Sequence, residues 1–373
     1  MVSYKKIPSS VSGDRHHAGC CVEHRLIEGL PCEFIWARQA RGVHTVGYDS
    51  GSGRKVREPL VVMVPGFPGV AGLYSEFLSV LSATAGCIAV CFAWCGHHEI
   101  PDSLQANKKT VPLDLEAQAA FVASVLRHLQ LHAGASKLVL LGHSLGCWLL
   151  SQSLEALASE AASNPSKAAA VVAIHLMCPI LKDMGSIPRA RKLRGPISVV
   201  RDLRLHVPLR IAANVLPLYF ASRALQLLWW MRGKASLNFS ENWFWQSLVV
   251  DLRLGVIGLA LPLALEAMDK IREPGPALLK SLGGGRNSRD ASRGQKGGGD
   301  SSSKGPSPPF LTLHFAAGDG WTPAEARAQF RELFPKAPHV EHQMPHGVIT
   351  RKSAARQAAA VIGRLTASAV DQQ

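Results

Sequence analysis

The chain alternates short, continuous apolar runs with longer stretches in which apolar residues recur every three or four positions. The short runs predict buried β-strands at Pro59–Val64, Cys87–Ala93, Leu138–Leu141 and Ala168–Met177. The periodic stretches predict helices at Gly72–Ala83, Leu113–Ala133 and Cys147–Ala158. Buried strands that alternate with helices are typical of a mostly parallel sheet with flanking helices, so the predicted fold class is α/β.

Two further strands, Cys32–Gln39 and Gly42–Tyr48, are predicted to form an antiparallel pair joined at Ala40-Arg41. The first 30 residues are polar, and we predict an irregular N-terminal segment over 1–30. After the sixth strand the alternation stops until Pro309, a stretch too long for an ordinary connection. It then resumes with two strands and two helices, namely Phe310–Ala316, Ala324–Leu333, His339–Gln343 and Ala354–Ala367.

The interruption predicts a large insertion after strand six, over residues 179–282. Its first part, Pro188–Arg210, is rich in arginine, and the next part, Ile211–Met231, is apolar and ends in Trp229-Trp230. Such a sequence is typical of a segment that lies in a membrane interface, and Trp243 and Trp245 are further candidate anchors. The alternative is a lid that packs on the active site.

Residues 283–309 are rich in Gly, Ser, Lys and Arg, and we predict a disordered linker there. The chain then divides into a core of two parts, residues 31–178 and 310–373, which are separated by the insertion and the linker.

Charge favours a lipid surface as partner. The formal net charge is +14, from 41 Lys and Arg against 27 Asp and Glu. No zinc-finger, RNA-recognition or helix-turn-helix signature accompanies it, so we predict no nucleic-acid partner. Much of the positive charge lies beside the apolar runs of the insertion, as a membrane-contacting segment requires.

The eight cysteines are scattered, and several fall in predicted strands. This favours buried free thiols over a metal site or disulfides, and we predict no cofactor and no metal. No apolar run follows the lysines of the first ten residues, so no signal peptide is predicted and we expect an intracellular protein.

The segment Lys137–Gly146, KLVLLGHSLG, carries the chemistry. Here an apolar strand runs into a G-x-S-x-G sequence, and a helical pattern follows, which is the layout of a nucleophile elbow. The two glycines suit such a turn, because a Cβ at either position would crowd a neighbouring strand or helix. Ser144 is therefore the predicted nucleophile, and the predicted reaction class is acyl transfer, most often ester hydrolysis.

A serine nucleophile needs a base, usually a histidine held by a carboxylate, and after an elbow the chain order is serine, acid, histidine. Asp319 follows the strand Phe310–Ala316 and is the predicted acid, with Asp183 as a less well-placed rival. His346 follows the last strand and is the predicted base. Three competitors are less suited, since His339 and His342 lie within the strand and His143 lies inside the elbow.

An ester hydrolase also needs two N–H groups that stabilise the oxyanion. One is expected from Leu145, the residue after the nucleophile. The other is expected from Pro65-Gly66-Phe67-Pro68-Gly69, the loop after the third strand, where Phe67 has an N–H and Pro68 has none.

With these segments located, the chain resembles the lipid droplet-associated hydrolase family. The resemblance rests on VMVPGFPGVAGLYSEFL, LLGHSLG, GDGWTP and MPHG, in that order, and covers most of residues 59–351. It implies an α/β-hydrolase fold, a Ser144–Asp319–His346 triad and attachment to lipid droplet and endoplasmic reticulum surfaces. The chain departs from the family at Phe67, where asparagine is usual, and after His346, where an alanine and an aromatic residue are usual. A backbone donor at Phe67 is retained.

Together these features predict a serine hydrolase that cleaves carboxylic esters, with neutral-lipid or sterol esters as the substrates that the resemblance implies. The alternative is a weakly active or non-catalytic protein that uses the hydrolase fold as a scaffold at droplets and endoplasmic reticulum.

Overall fold

The structure, a computed structural model, describes residues 20–38, 58–101, 104, 114–231, 249–250, 255–282 and 309–372. In these residues the strands form one eight-stranded sheet in the order β1-β2-β4-β3-β5-β6-β7-β8. The strands are β1 (Cys20–Ile27), β2 (Leu30–Ala37), β3 (Leu60–Val64), β4 (Ile88–Phe92), β5 (Lys137–His143), β6 (Ala170–Met177), β7 (Phe310–Ala316) and β8 (His339–His342).

The sheet is mostly parallel, which confirms the predicted α/β class. Only β1–β2 and β2–β4 pair antiparallel, and the six strands β4, β3, β5, β6, β7 and β8 run parallel to one another. All five residues of β3 are buried, as a strand covered by helices on both faces requires. The carboxyl ends of the parallel strands meet at one edge, and Val64 pairs there with Gly142. Loops that follow different strands therefore converge at that edge.

Helices cover both faces of the sheet. Their bounds are α1 (Ser75–Ala85), α2 (Leu115–His132), α3 (Leu145–Ser163), α4 (Pro188–Asp202), α5 (His206–Val215), α6 (Leu218–Met231), α7 (Val256–Lys270), α8 (Pro276–Leu282), α9 (Ala324–Leu333) and α10 (Lys352–Asp371). Short 3-10 helices lie at Ala71–Tyr74, Met184–Ser186 and Val348–Thr350. Helices α1 and α10 pack on one face, while α2, α3, α7, α8 and α9 pack on the other.

The prediction of an irregular segment over residues 1–30 is wrong for Cys20–Ile27, which forms β1 and pairs with β2. The hairpin turn lies at Glu28-Gly29, where both residues have positive φ, of 52° and 82°. Strand β1 is an edge strand whose side chains are mostly half-buried, so it carries polar residues and lacks an apolar pattern. The strand predicted at Gly42–Tyr48 lies outside the described residues.

The insertion is helical in its described part and contains no strand there. It contributes α4 to α8, and α7 and α8 pack into the core through Leu263, Met268 and Leu278. Within the described ranges, none of the helices combines the length and the apolar content needed to cross a bilayer. Apart from Pro309, the predicted linker 283–309 lies outside the described residues.

The insertion also exposes apolar side chains. Among the described residues, the exposed large hydrophobic side chains other than Phe67 and Phe310 all lie in α4, α5, α6 and their connections. We call this set the apolar helical surface: Val199, Leu203, Leu205, Val207, Leu209, Ile211, Val215, Leu216, Tyr219, Phe220 and Leu227.

Candidate active site

Ser144 lies on a sharp turn between β5, which ends at His143, and α3, which begins at Leu145. Its φ is 52° and its ψ is −122°, a conformation that residues with a Cβ rarely adopt. The surrounding chain holds this turn in place, because the Ser144 N–H donates to the Met177 carbonyl of β6 at 2.9 Å. A strained serine between strand and helix is the local geometry of a nucleophile elbow.

The two glycines of the elbow leave room for this turn. A Cβ on Gly142 would lie 2.9 Å from Cys147 Cα, in the first turn of α3. A Cβ on Gly146 would lie 2.4 Å from the carbonyl oxygens of both Val64 and Pro65, at the end of β3. The crowding expected from the sequence is therefore present on both sides, against the helix and against the strand end.

The structure brings the three predicted triad side chains together. Ser144 Oγ lies 2.8 Å from His346 Nε2, and His346 Nδ1 lies 2.6 Å from Asp319 Oδ2. Asp319 follows β7 and His346 follows β8, so two loops at the same sheet edge supply them. Because Nδ1–H faces a carboxylate, Nε2 is the nitrogen that accepts the serine proton.

The carboxylate of Asp319 is buried and fully hydrogen-bonded. Burial alone would raise its pKa, but hydrogen bonds from His346, the Trp321 N–H and the Thr322 hydroxyl outweigh burial and lower the pKa. The last two bonds are 2.8 and 2.7 Å long. Asp319 therefore stays ionised and holds the imidazole in the tautomer that leaves Nε2 free to accept a proton.

The rival residues lie elsewhere. Within the described residues, no hydrogen bond joins Asp183, His339 or His342 to Ser144 or His346. Asp183 stands just before the 3-10 helix Met184–Ser186, and His342 Nε2 lies 2.9 Å from His314 Nδ1.

The loop after β3 passes directly over the elbow. A Cβ on Gly66 would lie 3.0 Å from Ser144 Cβ and 2.9 Å from His143 Nδ1. Trp94 supports the loop from the other side, since its indole N–H donates to the Pro65 carbonyl at 3.1 Å. Neither Phe67 N–H nor Leu145 N–H donates a hydrogen bond to any described residue. Neither predicted donor therefore has another acceptor among the described residues.

Several side chains that support this site were missed by the sequence analysis. Arg327 of α9 donates to the Ala316 and Thr322 carbonyls, at 2.6 and 2.9 Å, on either side of the loop that carries Asp319. Trp321 packs near His346, with the two rings tilted by 35° and their centroids 5.9 Å apart. Arg327 stands in no motif named above and Trp321 stands in GDGWTP, but the sequence does not show the contacts between distant segments through which they act.

Tyr74 and His143 were also missed in this role, although both stand in the motifs named above. The Tyr74 hydroxyl oxygen lies 2.8 Å from the Gly66 nitrogen and 2.7 Å from His143 Nδ1. His143 Nε2 in turn lies 2.9 Å from the backbone carbonyl oxygen of His346.

The insertion reaches the site through the start of α4. The guanidinium of Arg189 lies over the Trp321 ring, 5.8 Å from its centroid. Arg189 therefore contacts the side chain that itself packs near His346, and α4 leads from this point to the apolar helical surface. A groove of about 600 Å³ lies further along the insertion, lined by α5 residues and by Gly255, Ile257, Gly258 and Leu259 at the start of α7.

One group of possible metal ligands occurs among the described residues, formed by Cys178, Asp319 and His346. Two of its members already bond each other, at 2.6 Å. Burial raises the pKa of the Cys178 thiol well above its usual value, so the thiolate that a metal requires is disfavoured. The geometry therefore fits a hydrogen-bonded triad better than a metal centre.

The comparisons with known proteins agree with this architecture. The family model for lipid-droplet associated hydrolases matches residues 57–349. The lip1 protein of Acinetobacter baumannii AYE, described as a candidate lipase, has a TM-score of 0.55 at 11% identity, over 96% of this chain and 95% of that chain. The haloalkane dehalogenase DbeA of Bradyrhizobium elkani USDA94 has a TM-score of 0.53 at 12% identity, over 95% of this chain and 100% of that chain.

No match was found among curated protein sequences. The structural neighbours are α/β-hydrolases, and at these identities they show the fold alone. The predicted α/β-hydrolase fold is confirmed.

Proposed function

Because the chain belongs to the lipid-droplet associated hydrolase family and is a hydrolase by that membership, we propose that it is a serine ester hydrolase that works at a lipid surface. The observation that carries the proposal is the unbroken line of hydrogen bonds from Ser144 through His346 to Asp319. A serine hydroxyl becomes a useful nucleophile when such a base removes its proton.

In the acylation step, Ser144 Oγ bonds to the ester carbonyl carbon while its proton passes to His346 Nε2. Asp319 stabilises the imidazolium that forms. The N–H groups of Leu145 and Phe67 stabilise the oxyanion. The intermediate then collapses, the carbon–oxygen bond to the alcohol breaks, and the alcohol leaves with the proton from His346.

In the deacylation step, water attacks the acyl-serine and gives a proton to His346. That proton returns to Ser144 as the acid product leaves. No metal or cofactor takes part in either step of this proposal.

The substrate class follows from the apolar helical surface and the charges beside it. Its most exposed members include Ile211 and Val215, at 60% and 76% of their full areas. Exposed basic side chains of α4 and its surroundings accompany them, namely Arg189, Arg191, Lys192, Arg194, Arg201, Arg204 and Arg210. Apolar residues flanked by cations suit an anionic lipid interface, which favours neutral-lipid or sterol esters as substrates.

We propose that this surface attaches the protein to lipid droplets and endoplasmic reticulum as a peripheral or monotopic protein, with no nucleic-acid partner. The family name supports droplet association. In the same arrangement α4 to α6 also serve as a lid, because α4 begins beside Trp321 at the site.

A fluorophosphonate probe tests the catalytic part of the proposal. We expect wild-type protein to be labelled and Ser144→Ala to remain unlabelled. The matched control is Ser153→Ala, because Ser153 is a buried serine of α3, the helix that follows Ser144, and its hydroxyl donates to the Leu149 carbonyl. Labelling that persists in Ser144→Ala, or none in the wild type, would contradict the assignment.

Droplet binding tests the surface part. We expect the double variant Ile211→Asp/Val215→Asp to bind triolein droplets coated with phosphatidylcholine and phosphatidylserine at least tenfold more weakly, since burying one such side chain is worth about 1.5–3 kcal/mol. Phe310→Asp is the control, because Phe310 is exposed but lies outside the insertion. Equal binding by wild type and the double variant would refute the surface.

The second candidate is a non-catalytic tether, which the extent of the apolar helical surface favours. It predicts that Ser144→Ala leaves droplet number and size in cells unchanged while the variant Ile211→Asp/Val215→Asp alters them. A cellular effect of Ser144→Ala equal to that of deleting the protein would exclude this candidate.

A further inference from the structure

Two motif residues that the triad does not use, Tyr74 and His143, join three loops of the candidate site. Tyr74 closes the motif P-G-x-P-G-x-x-x-x-Y, and His143 is the second residue of G-H-S-L-G. Tyr74 is fully buried and His143 is nearly so. Their contacts run from Gly66, beside the predicted oxyanion donor Phe67, to the backbone of His346.

These contacts form a series of three hydrogen bonds, from the Gly66 N–H through Tyr74 and His143 to the His346 carbonyl. The two backbone groups at its ends determine the direction of each bond. His143 Nε2 lies 2.9 Å from the His346 carbonyl oxygen, which can only accept, so Nε2 carries a proton. Burial lowers the pKa of His143 to about 3, so the ring is neutral and Nδ1 is bare. The Tyr74 hydroxyl therefore donates to Nδ1 at 2.7 Å and accepts from the Gly66 N–H at 2.8 Å.

Both side chains of this hydrogen-bonded series have partners for their N–H and O–H groups. Tyr74 donates its one proton and accepts the Gly66 N–H, and both nitrogens of His143 are hydrogen-bonded, so the directions of the three bonds are fixed. The three anchored segments are the loop after β3, the elbow and the loop after β8. These segments supply the predicted oxyanion donors, the nucleophile and the base.

We propose that Tyr74 and His143 are positioning residues, which hold the Phe67 loop and the His346 loop at fixed distances from Ser144. This inference rests on the proposed ester hydrolase function and deepens it. Tyr74 sets the oxyanion side through Gly66, and His143 sets the base side through the His346 carbonyl. Neither side chain exchanges a proton with substrate. Their effect falls on turnover, because misplacing a reacting group by about 1 Å can cost about 10²-fold in rate.

Substitutions of similar shape separate two links: the hydrogen bond between Tyr74 and His143, and the one between His143 and the His346 carbonyl. The amide in His143→Asn keeps an acceptor near the position of Nδ1 for Tyr74 but loses the donor to His346. The longer amide in His143→Gln keeps a donor near the position of Nε2 for the His346 carbonyl but loses Tyr74. Tyr74→Phe keeps the ring and removes the hydroxyl, which breaks only the links to Gly66 and His143.

The experiment measures kcat and KM for p-nitrophenyl butyrate, a soluble ester, together with the rate of fluorophosphonate labelling. We expect Tyr74→Phe and His143→Gln each to lower kcat about tenfold with KM changed less than about twofold. We expect the double variant to lose no more than Tyr74→Phe alone, since both substitutions remove the same Tyr74–His143 hydrogen bond. His143→Asn combined with Tyr74→Phe breaks both links, and we expect the two losses to multiply to about 10²-fold.

Two controls remove comparable groups elsewhere. Ser153→Ala deletes a buried hydroxyl from α3, and His128→Asn deletes an imidazole that contacts Arg25 and His132. Urea midpoints of all variants show whether they fold. Variants that turn over like wild type, or a double variant Tyr74→Phe/His143→Gln whose losses multiply, would overturn the positioning role alone. A wild type that is neither active nor labelled at Ser144 would instead overturn the proposed function.

Discussion

Lowering the pH from 8 to 5 is expected to destabilise this protein strongly, because folding buries several histidines in their neutral form. Burial lowers the pKa of His97, His98 and His175 to about 4, and that of His143 to about 3. His314, which lies 3.1 Å from His175 between the sheet and α10, has its pKa lowered well below the usual value by burial and by its histidine neighbours.

Proton linkage determines whether the free energy of unfolding rises or falls with pH. In the unfolded chain these groups titrate near 6.5, above their folded pKa values, so between pH 4 and 6.5 the unfolded state binds more protons. The stability that these neutral histidines contribute is therefore fully present above pH 6.5, and it is lost as the pH falls towards 4. A fall in pKa from 6.5 to about 4 corresponds to about 3 kcal/mol, of which roughly 2 kcal/mol is lost by pH 5.

Together, the four histidines with a stated pKa lose roughly 8 kcal/mol by pH 5, namely His97, His98, His143 and His175. This loss is comparable with the whole stability of a typical domain, about 5–15 kcal/mol. We therefore expect a steep acid transition between pH 6 and 5. Asp319 contributes outside this window, because its lowered pKa means that its stabilisation is lost only at lower pH.

The assay is urea unfolding followed by tryptophan fluorescence at pH 8, 7, 6 and 5. Near pH 5 each buried neutral histidine adds about 1.4 kcal/mol per pH unit to the slope of unfolding free energy against pH. His175→Gln removes one titrating group, so its slope is expected to be smaller by roughly that amount. Equal unfolding free energies at pH 8 and pH 5, or an unchanged slope in His175→Gln, would refute the reasoning.

Three further substitutions test the site. Asp319→Asn preserves shape but presents the wrong partner to His346 Nδ1, and we expect kcat for p-nitrophenyl butyrate to fall about 10³- to 10⁴-fold; a fall below tenfold would contradict this. Gly146→Ala places a Cβ 2.4 Å from two carbonyl oxygens, and we expect a loss of about 1–3 kcal/mol in urea unfolding, whereas Gly195→Ala, with open space around it, is expected to be harmless. Arg327→Met removes two charged hydrogen bonds around the Asp319 loop, and we expect about 3 kcal/mol less stability with slower fluorophosphonate labelling, while equal labelling would show that the loop needs no such support.

The elements with a clear apolar pattern were predictable from the sequence. The predicted bounds of Phe310–Ala316 and Ala324–Leu333 match β7 and α9, because the strand is buried on both sides and the helix has one buried face. Strand β1 was not predictable, since its side chains are half-buried and it gains its stability from pairing with β2. Its hairpin turn lies at Glu28-Gly29, so β2 pairs antiparallel with a strand that precedes it, β1, and also with β4.

In the candidate site, too, some residues were predictable from the sequence and others were not. Ser144, Asp319 and His346 follow from one rule of chain order, since each stands where a strand of a parallel sheet ends. The side chains that hold them cannot be read from spacing. Arg327 acts from a helix that packs beside the Asp319 loop, and Trp321 acts by packing near His346.

The sequence by itself determined the α/β class, the order of the buried strands and the three side chains that meet at the sheet edge. Apolar periodicity and the geometry of an elbow are local properties, so they are written in consecutive residues. Only the tertiary structure decided that Tyr74, which lies 69 positions before His143, bonds that histidine and joins three loops at the nucleophile. It also decided that α4 begins at the site and leads to an exposed apolar surface. Hydrogen bonds and packing between distant segments depend on how the helices and strands assemble, and no spacing within the chain specifies them.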